Sequence, residues 1–234
     1  MTAMNIKTMF PRYEPRRAAI SADEQACVRN HFTEYCRSHG TNFDGVESVY
    51  EAAGNWLADL IAFYVPEYLR VRLGTASETA PPGKSLLIYG EVGRGKTFLA
   101  RKIYDFYRGV RAKYGGRVEA EFVYDTDFMF GASIRGNEYL EEFFFGYQRK
   151  ILFFDDIGNE EESRRFGNVY GGCEILRFRH LCQEKWSVPT VITTNLTRKS
   201  LAQVYGIYVE SRVSGYYKGI RIQYPRDRRK EQWV

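Results

Sequence analysis

The sequence lacks any apolar run long enough to cross a bilayer. Its longest, Leu60 to Val65, falls far short of the roughly 20 residues a spanning helix needs. No apolar core segment lies within Met1 to Arg17, so the pattern of a secretory leader is missing. Cysteines are few (Cys27, Cys36, Cys173 and Cys182), which fits a reducing compartment and gives no disulfide framework. A cytoplasmic protein is the expectation. Charge of one sign is also scarce: 34 basic residues against 29 acidic ones leave a formal net charge of +5. That balance permits contact with nucleic acid without demanding it. Internal repeats and low-complexity tracts are absent. Cys27, His31, Cys36 and His39 have zinc-like local spacings. The two cysteines nevertheless fall on opposite sides of one continuous helix, with no Gly or Pro to break it, so ordinary helix residues are expected there.

What is present is a chain of 234 residues with 44% hydrophobic and 16% aromatic content, enough for one compact domain with an N-terminal extension. The division expected is residues 1–42 as a helical, partner-binding extension and 43–234 as the main domain with a short basic C-terminal tail. Ser21-Ala22-Asp23-Glu24 has the form of a capping box opening a helix that runs to about Ser38. A second helix begins near Asp44, because Val49, Ala53, Trp56, Leu60 and Tyr64 recur at three-to-four spacing. Gly74 to Gly83 reads as a loop.

Beyond that loop strand and helix alternate. Strands are expected at Ser85 to Tyr89, Glu121 to Tyr124, Ile151 to Phe154, Thr190 to Thr193 and Ile220 to Ile222, and helices at Thr97 to Val110 and Gly172 to Trp186. Alternation of this kind predicts an α/β protein with helices on both faces of a parallel sheet.

The strongest chemical signal is Gly90-Glu91-Val92-Gly93-Arg94-Gly95-Lys96-Thr97, a P-loop placed between a strand and a helix as its chemistry requires. Glycines 90, 93 and 95 let the backbone turn tightly and aim several N–H groups at one anion. The helix that starts beside them adds its positive end. Lys96 supplies a point charge for the β- and γ-phosphates of ATP, and the Thr97 hydroxyl can ligate Mg²⁺. Phe98, next in the helix, completes the nucleotide-binding stretch. Asp155-Asp156 closes the run Ile151 to Phe154 at the strand edge where α/β sheets bind ligands. Asp155 is placed to hold Mg²⁺ and Asp156 to polarise the attacking water. Thr193-Thr194-Asn195 ends another strand, and the Asn195 amide, both donor and acceptor, suits positioning of that water.

These stretches in this order resemble the AAA+ ATPases of the DnaC/IstB type: Gly90 to Thr97, then Leu152 to Gly158, then Ile192 to Leu196, and finally Tyr205 to Val213. The resemblance spans about Phe43 to Tyr224. It implies a three-layer α/β/α P-loop fold with a five-stranded parallel sheet and no C-terminal helical lid. It further implies an ATP- and Mg²⁺-dependent helper that self-associates and loads a replicative helicase onto single-stranded DNA, or assists a transposase. Carried over by motif, Arg212 is the arginine finger, which completes the ATP site of a neighbouring copy. Family members often carry Glu where this chain has Asp156, which weakens its assignment as the base.

Two other nucleotide-binding classes lack their signatures here: no Asn-Lys-x-Asp motif marks a GTPase and no Leu-Ser-Gly-Gly marks an ABC ATPase. A small-molecule kinase shares the P-loop but does not require the rest of the series. Basic residues available for DNA are Lys218, Arg221, Arg226, Arg228, Arg229 and Lys230, with Arg12, Arg16 and Arg17 at the other end. Tyr216 and Tyr217 could stack on bases or pack in the core.

Overall fold

The computed structural model describes residues 19–43, 45–75, 79–158 and 171–223. Its apolar runs pair side by side as β1 (Ser85–Tyr89), β2 (Ala120–Tyr124), β3 (Ile151–Ile157), β4 (Thr190–Thr194) and β5 (Tyr217–Arg221). They form one sheet in the order β2-β3-β4-β1-β5, and every pairing is parallel. Because side chains alternate across a strand, each run feeds two cores. Leu86, Ile88, Ile151, Phe153, Val191 and Ile220 point into one, and Leu87, Leu152, Phe154, Ile192 and Tyr217 into the other.

The first core is covered by α1 (Ala22–Ser38), α2 (Glu47–Tyr64), α3 (Pro66–Leu73) and α4 (Lys96–Tyr114). The second is covered by α5 (Asp125–Arg135), α6 (Asn137–Tyr147), α7 (Gly171–Trp186), α8 (Arg198–Tyr205) and α9 (Ile207–Tyr216). The three-layer α/β/α arrangement expected from the sequence is present. No described helix is long and apolar enough to cross a membrane.

Helix α1 opens with the expected capping box: the Glu24 N–H donates to Ser21 Oγ at 3.2 Å, and the Ser21 N–H donates back to the Glu24 carboxylate at 2.9 Å. Its Val28, Phe32 and Cys36 are fully buried in the same core as α2 and α4. His31 sits 2.9 Å from the Tyr68 hydroxyl, and among the described residues no cluster of three His, Cys, Asp or Glu is placed to hold a metal.

The second helix starts at Glu47, later than the spacing suggested, and Pro66 then starts α3 after a break at Val65. Helices α5 and α6, unread in the sequence, fill the connection from β2 to β3. The last strand begins at Tyr217 rather than Ile220, which places Tyr217 in the core and removes it as a base-stacking residue.

Strand β3 carries one residue too many. Phe154 pairs with Ile192 and Ile157 with Thr194, so Asp155 and Asp156 both lie opposite Thr193. This is a β-bulge. Asp156 adopts φ 68°, a left-handed conformation uncommon for a residue with a side chain. The bulge returns Ile157 to the face already occupied by Leu152 and Phe154.

At the opposite edge of the sheet the guanidinium of Arg179 is wholly buried. It donates to Thr190 Oγ1 at 2.6 Å and to the carbonyls of Tyr147 at 2.8 Å, Lys150 at 2.9 Å and Pro189 at 3.2 Å. Those bonds tie the turns that deliver β3 and β4. Arg179→Met fills the space but leaves several buried acceptors unpaired, at ~1–3 kcal/mol each. The expected result is a loss of about 3 kcal/mol, read as a melting point lower by roughly 6–12 °C in a thermal unfolding scan.

Candidate functional site

The P-loop leaves β1 at Gly90, where the backbone comes so close to the residue after β5 that an added Cβ would lie 2.5 Å from the Ile222 carbonyl. The Ile222 N–H donates to the Tyr89 carbonyl at 2.8 Å, so the start of the loop is fastened to the neighbouring chain. Gly93 (φ 78°) and Gly95 (φ 87°) take left-handed conformations that cost a glycine little. Gly95 is the N-cap of α4 and can offer no side chain, so no side-chain bond caps the helix. The first amides of α4 are therefore available to an anion, with the helix dipole behind them. Glu91 and Arg94 form an exposed ion pair at 2.6 Å on the outside of the loop, and the Arg94 bond holds the Glu91 carboxyl below its usual range. Val92 is exposed at the tip.

The Lys96 side chain is buried and turns inward. Its ammonium donates to the Glu91 carbonyl at 2.8 Å and to Asn195 Oδ1 at 2.5 Å. The Asn195 Nδ2 in turn donates to Asp156 Oδ1 at 3.2 Å. Three stretches far apart in the chain thus meet in one bonded series, as the strand order requires: β1 and β3 both flank β4.

Asp155 is buried, 4% exposed. Its Oδ1 accepts from Thr193 Oγ1 at 2.6 Å, and the Thr97 hydroxyl faces the carboxylate closely enough to favour its charged form. Burial pushes its carboxyl above the ordinary aspartate range; the Thr193 and Thr97 bonds work against that rise, the charge of Asp156 adds to it, and Arg101 opposes it. A hard divalent cation fits this donor set, since Thr97 offers a hydroxyl oxygen and Asp155 a carboxylate beside an anion cradle. A bound Mg²⁺ would neutralise phosphate charge and the desolvated carboxylate together.

Arg101 was not singled out in the sequence. It lies one turn into α4, donates to the Tyr124 hydroxyl at 2.5 Å and stacks 3.8 Å over the Phe122 ring. Tyr124 pairs with Asp155 across β2 and β3. Only the strand order reveals that neighbourhood.

No protein-family model matches the sequence, and no curated protein matches it. Solved structures do. DnaI has 20% sequence identity and a TM-score of 0.50 over 82% of this chain and 91% of that one. The AMPPCP-bound DnaA of Aquifex aeolicus has 17% identity and a TM-score of 0.51 over 81% of this chain and 51% of its own. A protein described as a DNA replication initiation factor has 17% identity and a TM-score of 0.51, covering 82% and 50%. What is shared with them is the three-layer α/β/α fold. The present chain spans about half the length of the last two proteins, and the likeness is one of fold.

Within that fold, Lys96, Thr97, Asp155, Asp156 and Asn195 lie together, and Arg212 stands apart from them. Arg212 is on α9, exposed, beside Leu176, Arg177 and His180 of α7 and Tyr217 of β5. Those neighbours include no P-loop residue, and among the described residues Arg212 has no ion-pair partner. Of the basic residues considered for DNA, Lys218 and Arg221 are exposed on β5. Arg12, Arg16, Arg17, Arg226, Arg228, Arg229 and Lys230 lie outside the described residues. Tyr216 bonds Glu184 at 3.0 Å and packs edge-on to His180.

Proposed function

We propose that the chain hydrolyses ATP to ADP and phosphate as an assembly- and DNA-dependent replication helper that places a replicative helicase on single-stranded DNA. The observation that carries the chemistry is the bonded series Lys96–Asn195–Asp156 beside the Thr97–Asp155 pair. Lys96, Asn195, Asp156, Thr193 and Asp155 are joined by hydrogen bonds, with Thr97 beside Asp155, a grouping that suits a phosphate charge, a metal-ligand pair and a water-positioning acid and amide. Gly90 to Phe98 would hold the nucleotide, Thr97 and Asp155 the Mg²⁺, and Asp156 with Asn195 the attacking water. The replication setting draws on the order of motifs and on the fold shared with a DNA replication initiation factor. The helicase-loading role draws on the motif resemblance to DnaC. In the region assigned to partner binding, α1 spends its apolar face on the core, which leaves its outer face for a partner.

Turnover of Mg²⁺-ATP by the purified chain tests the proposal. Specific activity is expected to rise with protein concentration and with added single strands. A rate that instead follows a small phosphoryl acceptor would establish the kinase reading. Capture of a hexameric helicase by immobilised full-length chain is the expected partner result; capture of a transposase alone would replace the loader with a transposition helper.

DNA binding carries its own expectation. If Lys218 and Arg221 each neutralise one phosphate, affinity for single strands falls about sevenfold between 50 and 200 mM salt, from a slope of about −0.7 per contact. The Lys218→Ala, Arg221→Ala double variant should flatten that dependence in a fluorescence-anisotropy titration.

A further inference from the structure

The bulge in β3 needs a partner that a regular ladder would not supply. An extra residue leaves its backbone groups outside the normal pairing, and a buried N–H without a partner is costly. Here the Asp156 N–H donates to Thr193 Oγ1 at 2.8 Å. The same hydroxyl donates its proton to Asp155 Oδ1 at 2.6 Å. A threonine hydroxyl has one proton and two lone pairs, so one atom serves both acids, accepting from the backbone of one and donating to the side chain of the other. Thr193 is itself only 1% exposed, and β4 holds it between β1 and β3.

We infer that Thr193 is a positioning residue of the nucleotide site, fixing the Asp155 carboxylate toward Thr97 and the Asp156 backbone in the left-handed turn that presents its carboxylate to Asn195. The inference rests on the ATP-site reading given above. Without the hydroxyl, the Asp155 carboxylate loses its 2.6 Å bond and can rotate, and the bulge loses the bond that holds Asp156 at φ 68°. Lys96 of the P-loop bonds Asn195 and Glu91, and the bonds of the Thr193 hydroxyl go to the two acids. Loss of the hydroxyl is thus expected to separate metal-dependent from metal-independent binding. Partners one shell out from a metal ligand change affinity or activity about 10- to 100-fold when removed.

The test is a titration of a fluorescent ATP analogue with and without Mg²⁺, on the full chain and on Thr193→Val and Thr193→Ser, alongside steady-state turnover. For Thr193→Val, the gain in nucleotide affinity on adding Mg²⁺ should shrink about tenfold. Its kcat should fall about 10- to 100-fold, and its metal-free affinity should stay within about threefold of the parent. Thr193→Ser, which keeps the hydroxyl, should recover both properties. Should the valine variant fail to fold, Thr193→Ala gives the same comparison without an extra methyl against the carboxylate. Unaltered Mg²⁺ dependence in the hydroxyl-free variant overturns the inference while leaving the ATP site standing. Equal loss with and without Mg²⁺, or no recovery by serine, overturns it too, since either outcome marks a role in folding alone. If the parent chain binds no nucleotide, both the site reading and the inference fall.

Discussion

Replacing Arg212 with alanine should reduce ATP turnover about a thousandfold, the lower end of what a trans-acting arginine contributes, while nucleotide affinity stays within about threefold. The reason is geometric. Arg212 is exposed on α9 among residues of α7 and β5, and none of the P-loop, β3 or Asn195 residues of its own chain lies with it. An arginine that acts on the phosphoryl group from there must act on another copy. The change removes charge at the transition state only, so it should lower kcat and kcat/KM together. Turnover that survives Arg212→Ala would sink the assignment. Sedimentation with a non-hydrolysable ATP analogue then decides whether copies still associate.

Lys96→Ala should have the opposite signature. It removes a buried side-chain cation turned into the cradle, so ATP affinity is expected to fall about a hundredfold, of the order seen when one strong electrostatic contact is lost. Hydrolysis should become undetectable. The two variants also test each other. On the trans assignment a site takes Lys96 from one copy and Arg212 from the next, so an equimolar mixture of the two variant chains would contain junctions with both groups intact. Mixing should restore a measurable fraction of parental turnover at high protein concentration, and dilution should abolish it. If the mixture stays inactive at every concentration tested, the two residues do not belong to a shared site.

The parts of this arrangement that could be read along the chain are those whose cause is local. Gly90 to Thr97 declares itself because tight turns need glycine and phosphates need Lys and a hydroxyl. Ile151 to Phe154 does so because a strand covered on both faces is apolar throughout. Other features have causes elsewhere. Helix α6 hides its period behind the adjacent Phe143, Phe144 and Phe145, of which only Phe143 is buried, so three consecutive aromatics give no stripe. Helix α3 is separated from α2 by Pro66, which looks like a stop but serves as a first helical residue. The bulge at Asp156 depends on Thr193, 37 residues away. Asn195 and Asp156 were each legible as site residues, whereas the bond between them and the commitment of Lys96 to Asn195 were not. Arg212 is the extreme case: the family resemblance assigns it, and among the described residues it has no ion-pair partner that explains it.

The extra residue in β3 also sets what kind of sequence change this site can survive. Because side chains alternate along a strand, removing one residue between Phe154 and Ile157 would restore a regular ladder and leave Ile157 on the same face as Phe154, still opposite Thr194. It would also merge two acids into a single position. A substitution at Asp156 alters one functional group; a deletion there removes the left-handed turn while keeping the strand end in register. The extra residue therefore serves the site and not the core. In a library of variants, a one-residue deletion between Phe154 and Ile157 should keep the fold and lose ATP turnover.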